Sequence, residues 1–191
     1  MAGRQGERRA QILQTLAGML ENPRVEKITT AALAAQLEVS EAALYRHFAS
    51  KAQMYEGLIE FIETTLFSLI NKIQADHEES STQAEQIVSM LLAFADKNPG
   101  MTRVLTGEAL VHENERLQQR INQLFDRIEA ALRQSLRAAQ LADRLPREHN
   151  ISAQAAVLAA YVAGRWQLFT KSGFKRRPQE GWEAQRVFLL E

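Results

Sequence analysis

The sequence contains no cysteine. That excludes disulfides and thiolate-bound metals, and it permits an intracellular home. It carries no net charge either, since 23 lysines and arginines balance 23 aspartates and glutamates. The total therefore speaks for no anionic partner, and it disfavours a chromatin protein without sequence preference, which needs a positive balance. No stretch reaches the ~18 uninterrupted apolar residues of a membrane-spanning helix. The opening "MAGRQGERRAQILQTL" lacks the continuous apolar run of a secretory signal. The expectation is a soluble protein that is not exported and does not engage a membrane.

Several chemical signatures are missing as well. The four histidines, His47, His77, His112 and His149, are scattered, and no pair stands at ligand spacing with a third donor. No glycine-rich phosphate loop, nucleophile elbow or isolated carboxylate pair occurs. The expectation is no enzyme, no metal and no cofactor.

What the chain does have is helical periodicity over an ordinary globular composition, 46% hydrophobic and 24% charged. Residues 7–21 place Ile12, Leu13, Leu16, Met19 and Leu20 on one face. Short helices are predicted over Thr30–Leu37 and Glu41–Phe48, and a long one from Ala52 to about Ala75. "DHEESS" makes a polar break before a helix over 84–97, which "NPG" stops because Pro99 and Gly100 both oppose continuation. Further helices are predicted over Met101–His112, 115–141, Ile151–Thr170 and 181–191. This is an all-α chain of about nine helices. The three short N-terminal ones suggest a boundary near the start of the fourth, with units at 1–52 and 53–191.

Residues 1–55 hold seven basic and five acidic side chains, leaving 16 against 18 in the remainder. The surplus at the front is weak evidence for an anionic ligand there. The same region contains "TTAALAAQLEVSEAALYRHFASK", two short helical patterns around a tight break. In a helix-turn-helix the second helix enters the major groove while the first crosses the backbone. Ala34 and Ala35 are the small residues at the crossing, and Leu33, Leu37, Val39, Leu44 and Phe48 the apolar anchors. Ser40 can cap the second helix, and Glu41 suits the positive end of its dipole.

With Leu44 and Phe48 inward, Ala42, Ala43, Tyr45, Arg46 and His47 fall largely on other faces. The alanines allow close approach to base edges, while Tyr45, His47, Thr29, Thr30 and Lys51 suit phosphate contacts. The candidate DNA-contacting set is thus Thr29, Thr30, Ser40, Glu41, Ala42, Ala43, Tyr45, Arg46, His47 and Lys51.

"ITTAALAAQLEVSEAALYRHFASK" resembles the N-terminal domain of the TetR family of regulators, whose three-helix module ends in a Tyr–x–His/Tyr–Phe–x–x–Lys run. One departure is Glu38, which stands where the family usually has glycine in a left-handed turn, at a cost of roughly 1 kcal/mol. Over its whole length the chain more closely resembles the nucleoid-occlusion members of that family. "VSEAALYRHF", "LIEFIE", "NPGMTRVLTGEALV" and "RLQQRINQLFDRIEAALRQSLR" carry this likeness.

The resemblance implies a helix-turn-helix module on a C-terminal dimerisation bundle. It implies a cytoplasmic, nucleoid-associated protein that binds palindromic chromosomal sites. When DNA-bound it would antagonise the tubulin-like division GTPase FtsZ, receiving that protein's C-terminal tail between the fourth and fifth helices. On matching positions this implicates Phe61, Ile62, Lys97 and Asn98.

The helix "ISAQAAVLAAYVAGRWQLF" is apolar on more than one face and should be buried on more than one side. With the final helix it is the expected homodimer interface, carried by Tyr161, Trp166, Trp182 and Phe188. A dimer presents two recognition helices one DNA turn, ~34 Å, or a multiple apart, which predicts an inverted-repeat site for one or several dimers. The 115–141 seam (Leu117, Ile121, Leu124, Ile128, Leu132 or Leu136) could suggest a coiled coil, but its length favours pairing inside the domain. The basic cluster Lys171, Lys175, Arg176 and Arg177 reads as a solvated loop. The alternative function is a ligand-responsive repressor with a small molecule in the C-terminal bundle, in a cavity that Trp166, Tyr161 and Met101 could line.

Overall fold

Local capping and apolar spacing determine where the helices begin and end. The structure, a computed structural model, describes residues 2–75 and 83–190, with side chains from residue 6 onward. Among the described residues there are nine α-helices, one 3-10 turn and no strand. The helices are α1 Ala2–Leu20, α2 Thr30–Gln36, α3 Glu41–Tyr45, α4 Lys51–Ala75, α5 Gln83–Lys97, α6 Pro99–Leu105, α7 Glu115–Leu141, α8 Ile151–Lys171 and α9 Trp182–Leu190. The predicted break "DHEESS", with His77, lies outside the described residues. No helix among those described is long and apolar enough to cross a membrane.

The chain forms two compact units divided within α4, between Ile62 and Glu63. The first comprises residues 1–62 together with 98–121. Its core is built on Ile12, Leu16, Leu33, Leu44, Phe48 and Leu58, all essentially inaccessible. The second comprises 63–97 and 122–191, centred on Leu91, Leu132, Leu158, Val162 and Trp166. The α7 seam is fully inward in both, from Leu117 to Leu136.

Two predicted helices end early. Residues 101–112 do not form one helix: α6 stops at Leu105, Gly107 takes the left-handed conformation (φ 76°), and a 3-10 turn, Glu108–Leu110, follows. The "NPG" segment ends α5 but starts α6. Pro99 sits in the first turn, where its missing N–H costs nothing. Gly100 is needed for a different reason, because a Cβ there would lie 2.0 Å from the Ala17 carbonyl oxygen. Glycine lets the backbones of α6 and α1 touch.

The recognition segment also ends early, at Tyr45 and not Phe48. The His47 carbonyl, which a longer helix would direct to Lys51, instead accepts from the Arg9 guanidinium. The same guanidinium lies 4.1 Å over the Phe48 ring. A residue 38 positions upstream thus closes the helix.

Candidate nucleic-acid interface

The helix-turn-helix is assembled by caps and a strained turn. Thr29 accepts the Ala32 N–H at 3.1 Å and begins α2, and Ser40 accepts the Ala43 N–H at 3.2 Å and begins α3. Between them α2 closes in a Schellman motif: Val39 N–H donates to the Ala34 carbonyl and Glu38 N–H to that of Ala35. This places Glu38 at φ 55°, the left-handed position expected from the family's usual glycine. Ala34 is buried at the crossing, whereas Ala35 faces solvent.

Leu44 and Phe48 are each 1% exposed, so α3 is held from one side. Ser40, Glu41, Ala42, Tyr45 and Arg46 are exposed, with Ala43 partly so. Tyr45 leaves 45% of its surface open, an outward aromatic that a packing role does not explain. Thr29 is exposed beside them and Thr30 partly buried. The Thr30 hydroxyl donates to Glu41 Oε2 at 2.5 Å, locking α2 against α3 and using one oxygen of the carboxylate. His47 is half-buried, and its Nδ1 is enclosed without a hydrogen-bond partner.

Lys51 opens α4 and pairs with the Glu113 carboxylate, so its charge is already matched in the DNA-free chain. Arg103 supports the module from within. Although only 3% exposed, it donates to the carbonyls of Leu20, Asn22 and Val25 at 3.2, 3.1 and 2.8 Å, and its Nε meets Glu108 at 2.8 Å. One guanidinium thus fixes the end of α1 and the connection toward α2.

Two family models match the chain: bacterial regulatory proteins of the tetR family over residues 25–58, and the SlmA-like, tetracyclin repressor-like C-terminal domain over 78–191. A nucleoid occlusion factor SlmA from Marinomonas sp. (strain MWYL1) is 48% identical over 191 residues, covering all of this chain and 97% of the relative. The SlmA of Vibrio vulnificus (strain YJ016) is 51% identical over 187 residues, 96% of this chain and 94% of that one.

The chain belongs to the SlmA nucleoid occlusion factors of the TetR family.

As a TetR-type chain it is a DNA-binding regulator. Solved structures agree on the fold alone. The fatty acid degradation regulator FadR from Bacillus halodurans matches with a TM-score of 0.77 at 14% identity, covering 95% of this chain and 94% of that one. FadR from Bacillus subtilis in complex with stearoyl-CoA matches with 0.73 at 14%, covering 95% and 97%.

The residues that the SlmA resemblance marked for a partner are unequally placed. Phe61 keeps 49% of its surface exposed and lines an apolar pocket of about 190 Å³ with Ala10, Leu13, Gln14, Leu58 and Met101 in the first unit. Ile62 is a correction: it is wholly buried, because the neighbouring position on α4 turns into the core. Lys97 is exposed in the last turn of α5. Asn98 holds the cap position of α6, where its carbonyl accepts the Thr102 N–H and hydroxyl, both at 2.9 Å.

The dimer residues divide likewise. Phe188, on α9, is 88% exposed. Tyr161 is partly buried and donates to Gln185 Oε1 at 2.6 Å. Trp166 and Trp182 are corrections, since both are buried inside the single chain. The indole N–H of Trp166 needs an acceptor and finds the Leu91 carbonyl at 3.2 Å, with its ring 5.5 Å from Phe125. Trp182 packs on Tyr161 at 5.6 Å. The free face of α8 is instead one of small and aliphatic residues, among them Ala153, Val157, Ala160, Gly164 and Leu168. The apolar helix is thus buried on one side only in the single chain.

Arg9, Gly100, Arg103 and Glu113 were not foreseen. Each acts on a residue far away in sequence, and only a glycine after a helix-starting proline gave any local sign.

Proposed function

We propose that the chain is a nucleoid occlusion factor that works as a homodimer on palindromic duplex DNA. In the DNA-bound state it antagonises FtsZ and keeps septa from forming over the nucleoid. The observation that carries this reading is the outward face of α3, with Tyr45 and Arg46 exposed above the Leu44 and Phe48 anchors, in a chain about half identical to SlmA relatives over nearly all its length. Backbone phosphates are met by Thr29, Tyr45, His47 and Lys51, and base edges by the alanine-lined side of α3 and by Arg46. The α8–α9 face, with Val157, Leu168, Val187 and Phe188 exposed, is covered by a second copy. Phe61 offers apolar contact to the FtsZ tail, and Lys97 and Asn98 offer charge and hydrogen bonds.

The ligand-responsive alternative has less support. Trp166 is spent in the packing of the second unit and Tyr161 on Gln185, while Met101 lines a pocket of the first.

The test combines purified full-length protein, a duplex recovered by selection from genomic fragments, and FtsZ polymers followed by sedimentation. DNA-bound protein should lower the polymer fraction, and protein alone should do so less. Unchanged polymer at confirmed DNA occupancy rejects the division role. A single recovered site beside one transporter or enzyme operon favours the repressor.

A further inference from the structure

We propose that Glu113 is a built-in competitor for DNA: its carboxylate holds Lys51 while no duplex is bound and yields it to a backbone phosphate on binding. The proposal rests on the DNA-binding reading above.

Lys51 is the first residue of α4, just after Ser50, whose hydroxyl accepts the Gln53 N–H at 3.2 Å. Its ammonium lies 5.7 Å over the Tyr55 ring and pairs with Glu113, 62 residues downstream. The lysine side chain is 20% exposed and that of Glu113 only 9%. The acid, more than the lysine, is withdrawn from water. A lysine already matched to a carboxylate adds little to phosphate affinity until that match is broken, and breaking it leaves a nearly buried anion without its counter-charge.

Arg103, the other charged group that acts on Tyr55 alongside Glu113, already donates to Glu108 and three carbonyls. On release the carboxylate turns toward solvent, since Arg103 is engaged elsewhere. Its segment can follow, because Val111 and His112 beside it are exposed. Occupancy of DNA at the start of α4 is thereby reported at the connection between the 3-10 turn and α7.

The test measures affinity of the full chain for the genome-selected duplex by fluorescence anisotropy, with Glu113→Gln, Lys51→Gln and the double variant beside wild type. Glu113→Gln should tighten binding about fivefold per half-site, the upper range for a pair open to solvent on one side. In the Lys51→Gln background the same change should have little effect. Three results overturn the proposal: no effect of Glu113→Gln, weakening like that of Lys51→Gln, or equal tightening in both backgrounds.

A second readout does not depend on removing Glu113. The chain has no cysteine, so His112→Cys carries a single environment-sensitive dye. Saturating duplex should change its emission when Lys51 is present and not in Lys51→Gln, and unchanged emission at confirmed saturation also overturns the latch. Wild-type protein that binds no duplex defeats the DNA reading and the latch together, a result distinct from all of these.

Discussion

Gly100 on α6 faces the Ala17 carbonyl of α1 so closely that a Cβ would stand 2.0 Å from its oxygen. The obstructing atom is backbone and has no rotamer to change. Gly100→Ala should therefore destabilise the chain by about 1–3 kcal/mol in spite of alanine's better helix propensity. Urea unfolding checks this, with Gly18→Ala as control, because nothing lies within 4 Å of a Cβ on Gly18.

Glu38 holds a left-handed turn at φ 55° that glycine adopts without strain. Glu38→Gly should raise stability by about 0.5–1 kcal/mol. A lower melting temperature would show that the side chain contributes something the turn geometry does not reveal.

Arg103→Met should be far more damaging. It strips a hydrogen-bond donor from the carbonyls of Leu20, Asn22 and Val25 and leaves Glu108 unpaired, a loss of about 3–5 kcal/mol. Glu108→Gln, which keeps an acceptor for the Nε donor, should cost much less. Denaturant midpoints of the two variants decide it.

Tyr55 supplies a pH dependence. Burial, then the Glu113 carboxylate, hold its hydroxyl well above the ordinary tyrosine value, against a smaller opposing pull from Arg103. The folded chain keeps a proton that the unfolded chain gives up above pH ~10. The stability from this group is thus complete below that pH and falls as pH rises past it. Tyr55→Phe should flatten the alkaline limb of stability against pH in denaturant titrations.

Phe188→Asp should shift the chain toward monomer in sedimentation equilibrium while leaving its helical circular dichroism intact, since the ring is 88% exposed in the single chain. DNA affinity should fall with it, because each half-site then binds alone. An unchanged dimer would remove α9 from the interface.

What the residues announced in advance was what neighbours in sequence decide. Ser40 caps the helix it precedes, the spacing of the α7 seam turned every one of those positions inward, and Glu38 takes the left-handed turn that the family resemblance implied. What escaped was set by partners far along the chain. Arg9 ends α3 by taking the His47 carbonyl, Ala17 explains Gly100, and Glu113 claims Lys51. Burial misled in one direction only. Ile62, Trp166 and Trp182 are apolar enough for an interface, yet each is already consumed by its own fold.

The way Arg103 grips the chain has a consequence for its architecture. The three carbonyls it gathers belong to the stretch leading from α1 toward α2, while the arginine itself arrives about eighty residues later. A fragment cut after the first four helices would keep every residue proposed to meet the double helix and lose the clasp that Arg103 supplies. The reading head of this molecule is therefore not a detachable part.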